Sequence, residues 1–279
     1  MATICVLHVG MSAFVAKAEV AQSCQQYSAD IDAALAKDAY VYATETLAKM
    51  DIFCSIEKLL KSVDGTSEVN TATQKIFAWA DAHKNGDAFG KLALALMMNF
   101  SDDYTTILAL ERGTALNDEY SALRLGDKYF DSDRLFGINK DRSKAAELYK
   151  IATAKGHFSE AMGRLAKLYL TGDGVLQDYS EAMQLLKLAV ADGDSNSMIL
   201  LGAVWHEGRG VEPDNYKAYV WYSLASENIR RRNPKFADDA IYSEAQRDAA
   251  AAALDKKTLL RAQSLAKQCL ASGYKDCGY

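Results

Sequence analysis

The sequence predicts an all-α protein, a right-handed α-solenoid of stacked helix-turn-helix repeats with helical caps at its N- and C-terminal ends. Three observations predict it. A pattern of small and apolar residues recurs three times across residues 121–232, with Gly126, Ala166 and Gly202 spaced 40 and 36 residues apart and Ala145, Ala182 and Ala218 spaced 37 and 36 apart. A period in this range marks stacked repeats. Only two prolines occur in 279 residues, and proline costs about 3 kcal/mol inside a helix. Alternating runs of Val, Ile and Thr, the mark of strands, are missing.

The N-terminus is an apolar stretch that ends in Ala16-Lys17-Ala18, the Ala-x-Ala form of a secretory cleavage site. It is shorter than the ~20 residues a membrane-spanning helix needs. We read residues 1–18 as a signal peptide, although no Lys or Arg precedes Lys17. The alternative is the buried first helix of a cytosolic protein.

Cysteine usage favours export. Of five cysteines, cleavage after Ala18 would remove Cys5 and leave Cys24, Cys54, Cys269 and Cys277. Cys269 and Cys277 lie eight residues apart with Gly273 between them, a spacing at which the chain can turn back. Cys24 and Cys54 are the remaining pair. Two disulfides would staple the ends of a solenoid, where fraying is easiest. Four reduced, buried thiols in a cytosolic protein are the competing expectation.

Residues 19–74 are expected to form an N-terminal helical cap and residues 75–120 degenerate repeats. In the latter, Ala78, Trp79, Ala82 and Gly86 match a second helix with its closing glycine. Either Leu92-Ala93 or Leu94-Ala95 fits the next first helix, and 101–118 the helix after it.

In residues 121–232 each first helix places small and large apolar residues on one face: Ser121, Leu125, Gly126 and Tyr129, then Ala161, Leu165, Ala166 and Tyr169, then Ser197, Leu201, Gly202 and Trp205. Each second helix carries an apolar stripe at offsets of zero, three, four and seven, from Ala145, Ala182 and Ala218. Asp141, Asp178 and Asp214 stand four residues ahead of those alanines, where a carboxylate caps a helix N-terminus. Gly172, Gly174, Gly208 and Gly210 end the first helices. A Gly-x-Gly that follows a helix and lacks the third glycine is no dinucleotide fingerprint. Arg230-Arg231-Arg232 reads as a solvated loop before Asn233-Pro234. Residues 233–279 read as a C-terminal helical cap, with helices near 236–253 and 256–272.

These residues resemble Sel1-like repeats, a branch of the tetratricopeptide-like α-solenoids. The family pattern runs A-x-x-x-L-G-x-x-Y, then G-x-G-V, then D-x-x-K-A-x-x-W-Y-x-x-A-A-x-x-G. The second repeat follows it through Ala161, Leu165, Tyr169, Gly172, Gly174, Val175, Asp178, Ala182, Ala189 and Gly193. The third fits at Leu201, Gly202, Gly208, Gly210, Val211, Asp214, Lys217, Ala218, Trp221 and Tyr222 but has Asn228-Ile229 in place of the closing glycine, and the first has a longer hairpin loop at 131–137 that lacks the Gly-x-Gly. The ending resembles the C-terminal cap of exported bacterial relatives. The resemblance implies a non-catalytic scaffold or adaptor of the bacterial envelope or secreted space, periplasmic or extracellular, binding a protein or peptide segment. Some cysteine-rich relatives act on β-lactams, which leaves an enzyme of cell-wall material or β-lactams as one alternative, although residues 121–232 hold no cysteine. A cytosolic regulatory adaptor is the other.

The formal net charge of −5 and a pI near 5.5 argue against a nucleic-acid partner, whose phosphates call for clustered Lys and Arg. Histidines 8, 83, 157 and 206 show no metal-ligand spacing, so neither metal nor cofactor is expected. The expected partner surface is the concave face, where slots flanking the packing stripe of the first helices hold Arg124, Asp127 and Lys128, then Arg164, Lys167 and Leu168, then Leu200, Ala203 and Val204. Read in stacking order they form a basic strip that passes into an apolar one, suited to a segment with an acidic part and a hydrophobic part.

Overall fold

The computed structural model describes residues 26, 29–41, 43–47, 65–98, 103–131, 138–154, 158–232, 239–275 and 277, with side chains of the helix from Gly65 described from residue 71 onward. The expected signal peptide, Cys24, Cys54, His8, His157 and the loop at 132–137 fall outside them. No strand occurs among the described residues. The chain divides into two units, Met1–Leu125 and Gly126–Tyr279.

In the first unit, helical residues at 29–35 and 43–47 precede α1 (Gly65–Ala82), α2 (Gly86–Met98), α3 (Asp103–Ala115) and the first half of α4 (Glu119–Asp131). The earlier helical segment docks on α1 through polar and stacked contacts: Lys75 Nζ lies 2.8 Å from Asp32 Oδ1, and Trp79 stacks on both Tyr40 and His83. The two registers left open for α2 are resolved by burial. Leu92 and Ala93 are fully buried while Leu94 is 39% exposed, so Leu92-Ala93 fills the slot of Leu165-Ala166.

One expectation here is corrected. The residue that turns the chain between α1 and α2 is Lys84, at φ 49°, and Gly86 opens α2 instead of closing a repeat. Asn117, at φ 59°, makes the same turn ahead of α4, and Gly193, at φ 77°, makes it in the second unit. Asparagine visits this region more readily than most side chains. Three residue types at one structural position explain why a glycine search misplaced the turn.

The second unit continues α4 and adds α5 (Arg142–Thr153), α6 (Ser159–Thr171), α7 (Tyr179–Ala191), α8 (Ser195–Glu207), α9 (Asn215–Arg232), α10 (Asp239–Ala252) and α11 (Lys256–Ala271). All twelve residues of the stripes on α5, α7 and α9 are buried, from Ala145 to Ala225. Asp141, Asp178 and Asp214 cap those helices, each accepting from a backbone N–H at 2.9–3.1 Å. Such a cap contributes about 1 kcal/mol.

The glycines of the hairpin loops serve two ends. Gly172 and Gly208 terminate α6 and α8 in the left-handed conformation, at φ 68° and 72°. Gly174 and Gly210 also have positive φ, and each lies against the first residues of an earlier second helix, Arg142-Ser143 of α5 and Tyr179 of α7. A side chain on either glycine would collide there. The Gly-x-Gly pair is therefore a stacking device between consecutive repeats.

Arg230, Arg231 and Arg232 correct a second expectation, for they form the last turn of α9 and not a loop. Cations are favoured at a helix C-terminus by the macrodipole, and Arg230 pairs with Glu244 of α10 at 2.6 Å while Arg231 pairs with Glu227 at 2.7 Å. With Asn228-Ile229 in place of a closing glycine, α9 runs on, and the Asn228 amide donates to the Gly193 carbonyl at 2.6 Å. Beyond α11, Gly273 and Tyr274 turn the chain at φ 64° and 67°, and Cys269 is disulfide-bonded to Cys277 with their Cα atoms 4.6 Å apart.

Candidate interaction surface

The first helices are packed on more sides than one apolar stripe would require. α6 contacts α5, α7 and α8, and its buried set includes Met162, Leu168 and Leu170 in addition to the stripe. Leu168 is 1% exposed and Val204 is 0% exposed. Both were expected on the partner surface, and both belong to the core. A helix inside a stack buries the flanks of its stripe, and these two residues occupy those flanks.

The charged slots are also largely committed to the fold. Arg164 Nε lies 3.0 Å from Asp127 Oδ1, its Nη2 donates to Glu160 Oε1 at 2.9 Å, and the Tyr149 hydroxyl donates to Asp127 Oδ1 at 3.0 Å. This cluster joins α4, α5 and α6. Burial and the Asp127 carboxylate push the Tyr149 hydroxyl pKa well up, so the phenol stays protonated as a donor. Arg124 lies in the first unit, its guanidinium 5.2 Å from the centroid of the Tyr120 ring. Lys128 and Leu200 are half-buried, and Lys167 is exposed, its Nζ 5.4 Å from the centroid of Phe130. Of the expected strip in the second unit, Lys128, Lys167, Leu200 and Ala203 therefore retain accessible surface outside the Arg164 cluster.

Cations over rings are themselves a repeated feature. Lys144 Nζ lies 4.2 Å from the centroid of Tyr129, and Lys217 Nζ lies 3.8 Å from that of Trp205. Each lysine directly precedes the first alanine of its second helix, and each ring is the aromatic of the paired first helix. In the middle repeat Glu181 takes the lysine position, and Lys150 reaches Tyr169 at 5.8 Å instead. Lys144 and Lys217 thus face rings of their own repeats, and Lys150 faces a ring of the next one.

Sequence reasoning missed the caps of the first helices. Asp118 and Asp194 accept from the backbone N–H groups of Ser121 and Ser197 at 2.8 and 2.7 Å. Each sits where a glycine of the preceding first helix gives it room: a Cβ on Gly90 would lie 2.6 Å from Asp118 Oδ2, and one on Gly163 would strike Ser197. Burial raises the pKa of both carboxyls, outweighing the hydrogen bonds from the serines that lower it. The Asp-x-x-Ser spacing was available in the sequence as the clue.

Among the described residues no group of three or more His, Cys, Asp or Glu side chains is placed to hold a metal ion. His206 Nδ1 lies 2.8 Å from Asn215 Oδ1, and His83 Nδ1 lies 2.8 Å from the Trp79 carbonyl. Among the described residues no helix is long and apolar enough to cross a membrane.

Helix pairs that repeat, cap one another and stack through paired glycines define an α-solenoid repeat protein. Three of its repeats match the Sel1 repeat family model, at residues 120–157, 159–194 and 195–228. A Sel1 repeat protein from Oxalobacter formigenes is similar in structure, with a TM-score of 0.51 at 21% identity over 81% of this chain and 88% of that one. A protective antigen present in uropathogenic Escherichia coli strains, which displays an SLR fold, aligns with a TM-score of 0.46 at 18% identity over 91% of this chain and 61% of its own. No curated protein is significantly similar in sequence. Sel1 repeats generally mediate protein–protein interaction and are generally a non-catalytic scaffold fold.

Proposed function

We propose that the protein is a non-catalytic interaction scaffold of the bacterial envelope or secreted space that binds a protein or peptide segment on the concave face of its repeats. The observation that carries this reading is the run of three Sel1 repeats over 120–228. Lys128, Lys167, Leu200 and Ala203 are the strip positions open to such a partner. The Cys269–Cys277 disulfide supports an oxidising compartment, since structural disulfides are rare in the cytosol.

Cross-linking in the native cell, followed by mass spectrometry, tests the reading. The expected result is a discrete protein partner linked through lysines of the second unit, on a chain that begins near Glu19. A chain that keeps Met1 and yields five free thiols on denaturation would overturn the export assignment. Absence of any partner adduct would overturn the scaffold assignment.

A further inference from the structure

The last repeat and the C-terminal cap enclose a cleft of about 490 Å3, within the ~300–1,000 Å3 usual for ligand sites. α9 contributes Leu224, Glu227 and Arg231, α10 contributes Arg247, and α11 contributes Lys267 and Leu270. Leu224 is buried and Leu270 half-buried. The lining thus holds three cations and one carboxylate, in a chain whose net charge is −5.

The cations are available. Arg231 is paired with Glu227 and Arg247 with Asp248, but the side chains are 60% and 44% exposed in the first pair and 30% and 68% in the second. Exposed pairs of this kind contribute little and exchange partners at little cost. Lys267 is exposed. The wall that carries it is fixed at both ends, by the Asp255 cap, where Thr258 N–H donates at 2.8 Å, and by the disulfide at Cys269.

We propose that this cleft binds a partner segment presenting an acidic side chain beside an apolar one. The carboxylate meets Arg247 and Lys267, and the apolar side chain lies on Leu224 and Leu270. The basic and apolar combination expected of the strip, where Leu168 and Val204 are buried and Arg164 is paired, is offered here as well. The proposal rests on the scaffold reading and names the chemistry of its partner.

The test is an array of short synthetic peptides that pair Glu or Asp with Leu or Phe at varied spacing, each with its Gln or Asn counterpart, probed with the purified full chain. Acidic peptides are expected to bind about tenfold or more tightly than their amide counterparts, as a charge-assisted hydrogen bond would give, and more weakly as salt rises. K267E and R247E should each lose that preference while keeping the wild-type helical circular dichroism. K267E alters an exposed side chain, which guards against a folding artefact. No preference for acidic peptides, or a preference that survives both substitutions, overturns the cleft. A preference lost in K167E and kept in K267E would overturn the cleft while leaving the scaffold reading in place.

Discussion

Gly202 lies flat against the ring of Tyr222, so that a Cβ at Gly202 would come within 2.8 Å of ring carbons Cδ1 and Cε1. Gly126 meets Tyr149 in the same way, at 2.7 Å. In the middle repeat Ala166 and Leu186 fill the two positions, and both are fully buried. The interface accepts a glycine with a tyrosine, or an alanine with a leucine. Gly202→Ala should therefore destabilise the chain by about 1–3 kcal/mol through overpacking, despite the ~1 kcal/mol that alanine gains in helix propensity. Adding Tyr222→Leu should recover part of that loss, a coupling that urea unfolding of both single variants and the double variant measures.

Arg164 is part of the fold and Lys167 is not. Arg164→Glu places a carboxylate beside Asp127 and Glu160, and should cost about 2–4 kcal/mol, somewhat less than a fully buried pair because its side chain is 30% exposed. Lys167→Glu should stay within about 0.5 kcal/mol. Equal effects in thermal unfolding would show that the Arg164 cluster does not hold the two repeats together.

Asp194 sets a pH dependence with a definite sign. Burial holds its folded pKa above the unfolded value, so between the two values the folded state binds more protons and stability falls as pH rises. Asn caps helices about as well as Asp and does not titrate. The stability of Asp194→Asn relative to the parent should rise as pH increases from below the ordinary carboxylate pKa through the raised one, then level off. A difference that grows toward acid would mean that the carboxyl is stabilised in its charged form.

Removing the Cys269–Cys277 bridge should cost about 2–3 kcal/mol by the chain-entropy estimate for so short a loop. The loss should be local. Tyr274 packs over Gly193, where a Cβ would meet its ring at 3.1 Å, and this contact depends on the bridged turn. Hydrogen exchange after reduction should rise at the end of α11 and spare α5 to α8. Uniformly faster exchange would contradict a local role.

Much of the fold was legible because the repeats state each structural requirement three times. Ala145, Ala182 and Ala218 mark one buried stripe, and Asp141, Asp178 and Asp214 mark one cap. What was not legible depends on neighbours that the sequence does not show. Lys84 and Asn117 take a turn that only Gly193 advertises. Leu168 and Val204 are buried because their helices touch more than one partner. The triple arginine is helical because no glycine closes α9, which runs on through Asn228-Ile229 to Arg232. The cleft between the last repeat and the C-terminal cap takes Arg247, Lys267 and Leu270 from helices that follow no repeat, so no periodicity pointed to it.

The central claim is that the repeated residues build the scaffold and that the partner meets side chains outside the repeat pattern. A photo-activated cross-linker placed at position 267, and as a control at Leu176, which is 90% exposed on a hairpin loop, tests it in living cells. The account predicts one discrete protein adduct from position 267 that is absent from position 176. The same adducts from both positions, or none from 267, would contradict it.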